Sequence, residues 1–136
     1  DRFLEEIRRY REEQLRGTGI KPIFPLWGMP TADLAETMLG AGLQAYVSSV
    51  DLRRIPSSVC GRRWTAQLIA ALPKGCDPCG ENGETHTIVT GGPMFRHSIP
   101  VRVGEVVARD GFAHADIAPV GLSRHSTRPV GSLNFP

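Results

Sequence analysis

The sequence predicts an α/β fold, with α+β as the alternative: a mixed sheet carrying two or three helices. Three observations predict it. Apolar residues recur at helical spacing near the start and again around 32–39 and 61–72. Short runs rich in β-branched and aromatic residues fall at 43–50, 87–90 and 99–120. The order strand, helix, strand over residues 20–50 is that of an α/β unit and admits parallel pairing.

Residues 1–16 read as a helix. Phe3, Leu4, Ile7 and Tyr10 share one face and charges fill the other. Glu5 with Arg9, and Glu12 with Arg16, are i,i+4 pairs in the favourable order. Gly17 and Gly19 stop the helix. Its charged side reads as a solvated face. Residues 20–27 follow as a short edge strand or extended connector, because Pro22 and Pro25 limit ladder pairing. Trp27 either packs in the core or lines a pocket.

Thr31 is placed to cap a second helix over 32–39, with Asp33 in its first turn. Leu34, Met38 and Leu39 form its apolar side, and Gly40 and Gly42 end it. Leu43 to Val50 is a strand by composition. Gly61, Arg62 and Arg63 open a third helix that carries Trp64, Leu68, Ile69 and Leu72, closed by Pro73 and Gly75. After a turn-rich stretch, 87–90 reads as a strand. Residues 99–108 and 112–120 form a hairpin about Asp110-Gly111, a strong turn signal. Ser, Arg, Pro, Gly and Asn dominate 121–136, which reads as a disordered tail.

Composition narrows the function classes. With 136 residues the chain is of single-domain length. A net charge of +2 gives no footing for nucleic-acid binding. No apolar run approaches the roughly 20 residues a membrane helix needs. Three cysteines, an odd number, do not form a secreted disulfide framework, so the cytoplasm is the expected compartment. The chain does not open on methionine and enters a helix at once, and is read as lacking an N-terminal part.

The chemistry concentrates in Asp77-Pro-Cys-Gly-Glu-Asn-Gly-Glu-Thr-His-Thr87. Glycines let a ligand approach the backbone closely, and polar side chains crowd beside them. If 84 and 86 lie in a strand they share a face, which brings Glu84 and His86 together beside Glu81. A carboxylate beside an imidazole moves protons, orients an amine or holds a cation. Against this stands a polar turn whose carboxylates cap backbone amides. Cys76 and Cys79 have metal-ligand spacing, and His86 lies downstream, but no second cysteine pair completes a zinc set, so no metal site is assigned. Arg62 and Arg63 suit a phosphate or carboxylate, or a surface ion pair. No phosphate-binding glycine loop and no nucleophile elbow occurs in the sequence.

Phe24-Pro-Leu-Trp27, Gly61-Arg62, Cys79-Gly-Glu-Asn-Gly-Glu84 with His86-Thr87, and Gly92-Pro-Met-Phe95 occur in this order. Together they resemble the C-terminal half of the N-type ATP pyrophosphatases, the family that includes diphthine–ammonia ligase. The resemblance covers about residues 1–120. It implies that 1–19 trails from an N-terminal nucleotide-binding domain of the adenine-nucleotide hydrolase type, and that 20–120 is a C-terminal substrate-side domain. It implies adenylation of a carboxylate by ATP, then amide formation with ammonia. ATP and Mg²⁺ are the implied cofactors, bound mainly by the N-terminal half. The implied catalytic residues are Glu81, Glu84 and His86. The implied substrate-binding residues are Asn82, Gly83, Arg62 and Trp27. The implied partners are a small-molecule or protein carboxylate and ammonia, with homo-oligomer formation left open. Glu84→Gln is then expected to lower turnover and leave the fold intact. Two departures from the family pattern stand out. Thr85 replaces the usual aromatic residue, and the family's Ser-Gly-Gly-Lys-Asp-Ser loop is absent from the sequence. The alternative is a non-catalytic module that keeps the pocket and binds a metabolite or partner protein, with a groove around Trp27, Met29 and Met38.

Overall fold

The computed structural model describes residues 2–121, with the side chains of residues 2 and 3 left aside. The tail expected beyond Gly121 lies outside the described residues. Three helices appear: α1 (Arg2–Leu15), α2 (Thr31–Gly40) and α3 (Ala66–Ala70). Four strands form one sheet: β1 (Gln44–Asp51), β2 (Thr85–Gly91), β3 (Val101–Arg109) and β4 (Phe112–Pro119). Their spatial order is β2-β1-β4-β3. The fold therefore combines helices and a sheet as expected.

The pairing corrects one expectation. Every described strand pair is antiparallel, so the sheet is not mixed. The cause lies in residues 20–27, which form no strand. Pro22 and Pro25 supply no N–H, and the chain turns at Phe24, whose carbonyl accepts from Trp27 N at 3.1 Å. Without that strand no crossover unit exists around α2. The β3–β4 hairpin, by contrast, forms as read. Asp110 and Gly111 have φ of 53° and 82°, both positive as a tight two-residue turn requires.

β1 is an inner strand, flanked by β2 and β4. It pairs with β2 along 44–50 and with β4 only at its end, through Ser49–His114, Val50–Ala113 and Asp51–Phe112. The register slips between Val47 and Ser49, so Ser48 is an extra residue. Such a bulge breaks the strict alternation of faces. Val47 and Val50 thereby enter the same core, with Ile55, Val59, Cys60, Leu68 and Ala113. A second, smaller core joins Ala35 of α2, Ala45 of β1 and Trp64.

The third helix is shorter than its sequence pattern. Residues 61–64 run beside β1 instead, where β4 leaves its edge open. Gly61 N donates to the Val47 carbonyl (2.7 Å), Val47 N to that of Arg62 (2.8 Å) and Trp64 N to that of Ala45 (2.9 Å). Amides spent on β1 are not free to start a helix. Thr65 is the true N-cap, its hydroxyl accepting from Leu68 N at 3.1 Å. Thr31, expected as the cap of α2, is instead the first helical residue, and its hydroxyl serves elsewhere.

Candidate functional site

The turns at 77–84 are built around two carboxylates that face backbone. Glu84 is fully buried. Its Oε1 accepts from Asp77 N (3.0 Å) and from Asn82 Nδ2 (3.2 Å), and its Oε2 accepts from Asn82 N (3.1 Å). Arg54 Nη1 lies 3.2 Å from Oε1. Burial pushes this carboxyl up. The donated N–H groups, led by that of Asp77, and the Arg54 charge outweigh burial, so Glu84 titrates below its ordinary value.

Asp77 repeats the device. Its Oδ1 accepts from Cys79 N at 2.7 Å, an Asx turn. Its Oδ2 accepts from the Thr31 hydroxyl at 2.7 Å, which ties the turn to the first residue of α2. Gly80 closes the first turn with its N–H on the Asp77 carbonyl (3.0 Å), and Gly83 closes the next on Gly80 (2.9 Å). Only glycine suits position 80. Its φ is +73°, and a Cβ there would lie 2.5 Å from both Thr85 O and Thr85 Oγ1.

Glu81 is left as the exposed carboxylate of the run. It lines a pocket of about 360 Å³ together with Phe24, Trp27, Met29, Thr31 and Leu34, and with Leu4 of α1. Trp27 is 42% exposed and so belongs to the pocket rather than the core. Phe24 and Trp27 meet edge to face, with ring centroids 6.3 Å apart. The guanidinium of Arg8 lies 4.8 Å from each ring centroid. The pocket is thus apolar and aromatic, with one free carboxylate on its wall.

The sequence-predicted set therefore divides. Glu81 and Trp27 share this pocket. Glu84, Asn82 and Gly83 build the turn behind Glu81. His86 is exposed on β2 and makes no hydrogen bond to Glu84, so the expected Glu84–His86 pair is not formed. Glu84 precedes β2, which begins at Thr85, and both Glu84 and Thr85 are buried; period-two alternation does not extend to it. Arg62 is exposed, and no hydrogen bond or ion pair joins it to Glu81, Glu84 or His86. Met38 packs on the small core and does not extend the pocket into the expected groove.

Three contributors escape the sequence reading: Arg54, Asp77 and Thr31. Asp77-Pro78 did carry a turn signal. Nothing local marks Arg54 as the partner of a residue thirty positions away.

The thiols do not converge on a metal site. Cys79 Sγ donates to the Thr31 carbonyl (3.3 Å), while Cys76 Sγ lies 3.9 Å from the Arg54 carbonyl. Among the described residues no group of three or more His, Cys, Asp or Glu is placed to hold a metal ion. Burial pushes the Cys79 thiol up to about 11, and the charges of Asp77 and Glu81 add to it.

Residues 30–118 match the family model of the diphthamide synthase C-terminal domain. The chain belongs to that family. The matched diphthamide synthase C-terminal domain runs from the start of α2 to the end of β4 and contains the whole 77–84 turn. It ties the chain to diphthamide synthesis. Leu4, Phe24 and Trp27 lie ahead of the matched span, so one wall of the pocket is added to the diphthamide synthase C-terminal domain rather than part of its match. No curated protein matches the chain. Among the described residues no helix is long and apolar enough to cross a membrane.

Proposed function

We propose that this domain is the substrate-facing half of an ATP-dependent ligase that turns a carboxylate into an amide with ammonia. The observation that carries the reading is the pocket in which the exposed carboxylate of Glu81 meets Trp27, on a turn held rigid from behind by Glu84. A fixed carboxylate on an apolar wall accepts hydrogen bonds from an amine and orients its lone pair toward an acyl carbon. It also takes the proton that the amine sheds on attack. Glu84 touches no solvent, so it acts through Glu81's position, as a positioning residue. His86 and Arg62 receive no step.

The nucleotide does not fit this chain. The carboxylates of Glu84 and Asp77 are already committed to backbone and hydroxyl donors, and Glu81 stands alone. No glycine-rich phosphate loop is present in the sequence. ATP and Mg²⁺ would therefore be held by other residues than those described, and no step is routed through them.

The test is amide formation in a polypeptide that joins this domain to an ATP-binding loop. Glu81→Gln is expected to lower kcat by tenfold or more and leave the urea midpoint unchanged. Unchanged turnover would refute the role of Glu81. A second reading, a binding module without catalysis, draws on the mainly apolar lining of the same pocket. Turnover absent from the joined polypeptide, with ligand binding kept, would favour it.

A further inference from the structure

We propose that the outer edge of β2 receives an extended peptide of a partner protein as an added strand. β2 ends the sheet on one side and β3 on the other. An open sheet edge pairs readily with another chain, and charges, prolines or bulges blunt it. β3 is blunted: it carries Arg102, Glu105 and Arg109, and its register slips between Val103 and Val106. β2 has no charged residue and no proline from Thr85 to Gly91. The bonds of β1 show which backbone groups of β2 are free. Val47 spends its N–H on the Arg62 carbonyl (2.8 Å) and its carbonyl on Gly61 N (2.7 Å), and the Ala45 carbonyl accepts from Trp64 N (2.9 Å). Val47 is paired with Thr87, and Ala45 with Val89. Opposite residues of an antiparallel ladder exchange both bonds or neither. The N–H and C=O of Thr87 and Val89 therefore point outward, about 7 Å apart along the strand. Among the described residues no backbone group of a loop or turn meets them.

Both ends of this row are closed. A Cβ on Gly80 would lie 2.5 Å from the Thr85 carbonyl oxygen, so the 77–84 turn covers one end. Ile99 N donates to the Thr90 carbonyl at 2.7 Å and covers the other. Between them residues 86–89 are exposed. The rim sets the chemistry of the occupant. Glu81 stands exposed in the turn at the Thr85 end, and Arg96 stands exposed in the loop at the Thr90 end. Neither takes part in a salt bridge among the described residues. A peptide antiparallel to β2 enters at Thr90 and leaves at Thr85. An acidic residue first and a basic residue last then meet opposite charge at each end. β-branched residues between them match Thr87, Ile88 and Val89 across the pair. Main-chain bonds give such a peptide its affinity and the flanking side chains its specificity. A second copy of β2 fits worse, because pairing about Ile88 brings the 77–84 turn of one copy against the Ile99 loop of the other.

The test contains no ATP and reads no turnover, so it is independent of the ligase reading. Acetyl-Glu-Val-Thr-Val-Lys-amide is titrated into the isotope-labelled chain, and backbone amides are followed by NMR and hydrogen exchange. The Thr87 and Val89 amides are expected to shift saturably and to exchange at least tenfold more slowly, while the indole signal of buried Trp64 stays fixed. The two valines of the peptide aim their N–H groups at Val89 and Thr87. Methylating both of those nitrogens should weaken binding at least tenfold, and methylating the threonine nitrogen, which faces away, should not. Thr87→Pro removes the outward N–H without breaking a bond to β1, and should abolish binding. Should Thr87→Pro also displace the Trp64 signal, the methylated peptides decide on the unaltered chain. Equal binding of the doubly methylated peptide would overturn the proposal, as would Thr87 and Val89 amides that do not respond. Equal binding of Lys-Val-Thr-Val-Glu, capped in the same way, would overturn the stated chemistry. Protection of the same two amides by raising the concentration of the chain alone would give the edge to a second copy and reject the peptide.

Discussion

Arg54 and Glu84 form an ion pair of 3.2 Å in which one partner is wholly buried and the other reaches out to solvent. Arg54 also donates to the Gly75 carbonyl at 2.9 Å. One guanidinium thus anchors both the entry to the turn-rich stretch and the carboxylate that organises it.

Glu84→Gln is expected to destabilise the fold by about 2–4 kcal/mol, because it removes a buried charge that serves three donors and an arginine. This corrects the expectation, drawn from sequence, that the change would spare the fold. Urea unfolding measures it. A midpoint equal to the unaltered chain would mean that the turn does not depend on the carboxylate.

Acid should weaken the fold, and the sign follows from Glu84. Its carboxyl titrates below the ordinary 4.5, so between the two values the unfolded chain binds more protons than the folded one. The stabilisation is complete above the unfolded value and is lost as pH falls through the folded one. Asp51, held low chiefly by its hydrogen bonds from Arg53, acts in the same direction. Urea midpoints measured from pH 7 down to pH 3 should fall below about 4.5, with a shallower slope in Glu84→Gln.

Two glycine substitutions separate conformation from space. Gly80 and Gly83 have nearly the same φ, +73° and +77°. A Cβ at 83 meets nothing within 4 Å, whereas one at 80 strikes the Thr85 backbone. Gly83→Ala should cost about 1 kcal/mol for the left-handed backbone alone, and Gly80→Ala at least about 2 kcal/mol more. Thermal melts of both proteins would show it; equal costs would mean that the turn relaxes freely.

Cys79 should be slow to alkylate. With its thiol pushed up to about 11 from an ordinary 9.0, its thiolate fraction at pH 8 falls by roughly a hundredfold. Iodoacetamide labelling followed by peptide mass spectrometry should find Cys79 modified at no more than a few per cent of the rate of an unperturbed thiol. Fast labelling there would show that the Asp77 turn opens readily.

What was legible in the sequence is what repeats locally. β1 shows in its β-branched run, and Asp110-Gly111 dictates its turn from two residues. α1 shows in its apolar spacing. The topology was not legible, because two prolines and a surface turn decide whether 20–27 joins a sheet. The helix start at Ala66 was hidden for a similar reason: the amides of Gly61 and Trp64 are claimed by β1, a distant partner. At the site, the carboxylates that cap backbone amides in 77–84 were one of two readings open in the sequence, and which carboxylate does so was not legible. A glutamate that serves backbone N–H groups and one that faces a pocket look alike in sequence. Only burial tells Glu84 from Glu81.

The 2.7 Å bond between Thr31 and Asp77 has a mechanical consequence. It rivets the front of α2 to the turn that carries Glu81, while Leu34, one turn into α2, lines the same pocket. Floor and wall are therefore cast as one piece, and a push on α2 is delivered to the Glu81 carboxylate with little slack. A ligand that shoulders against Leu34 would re-aim Glu81 without ever touching it.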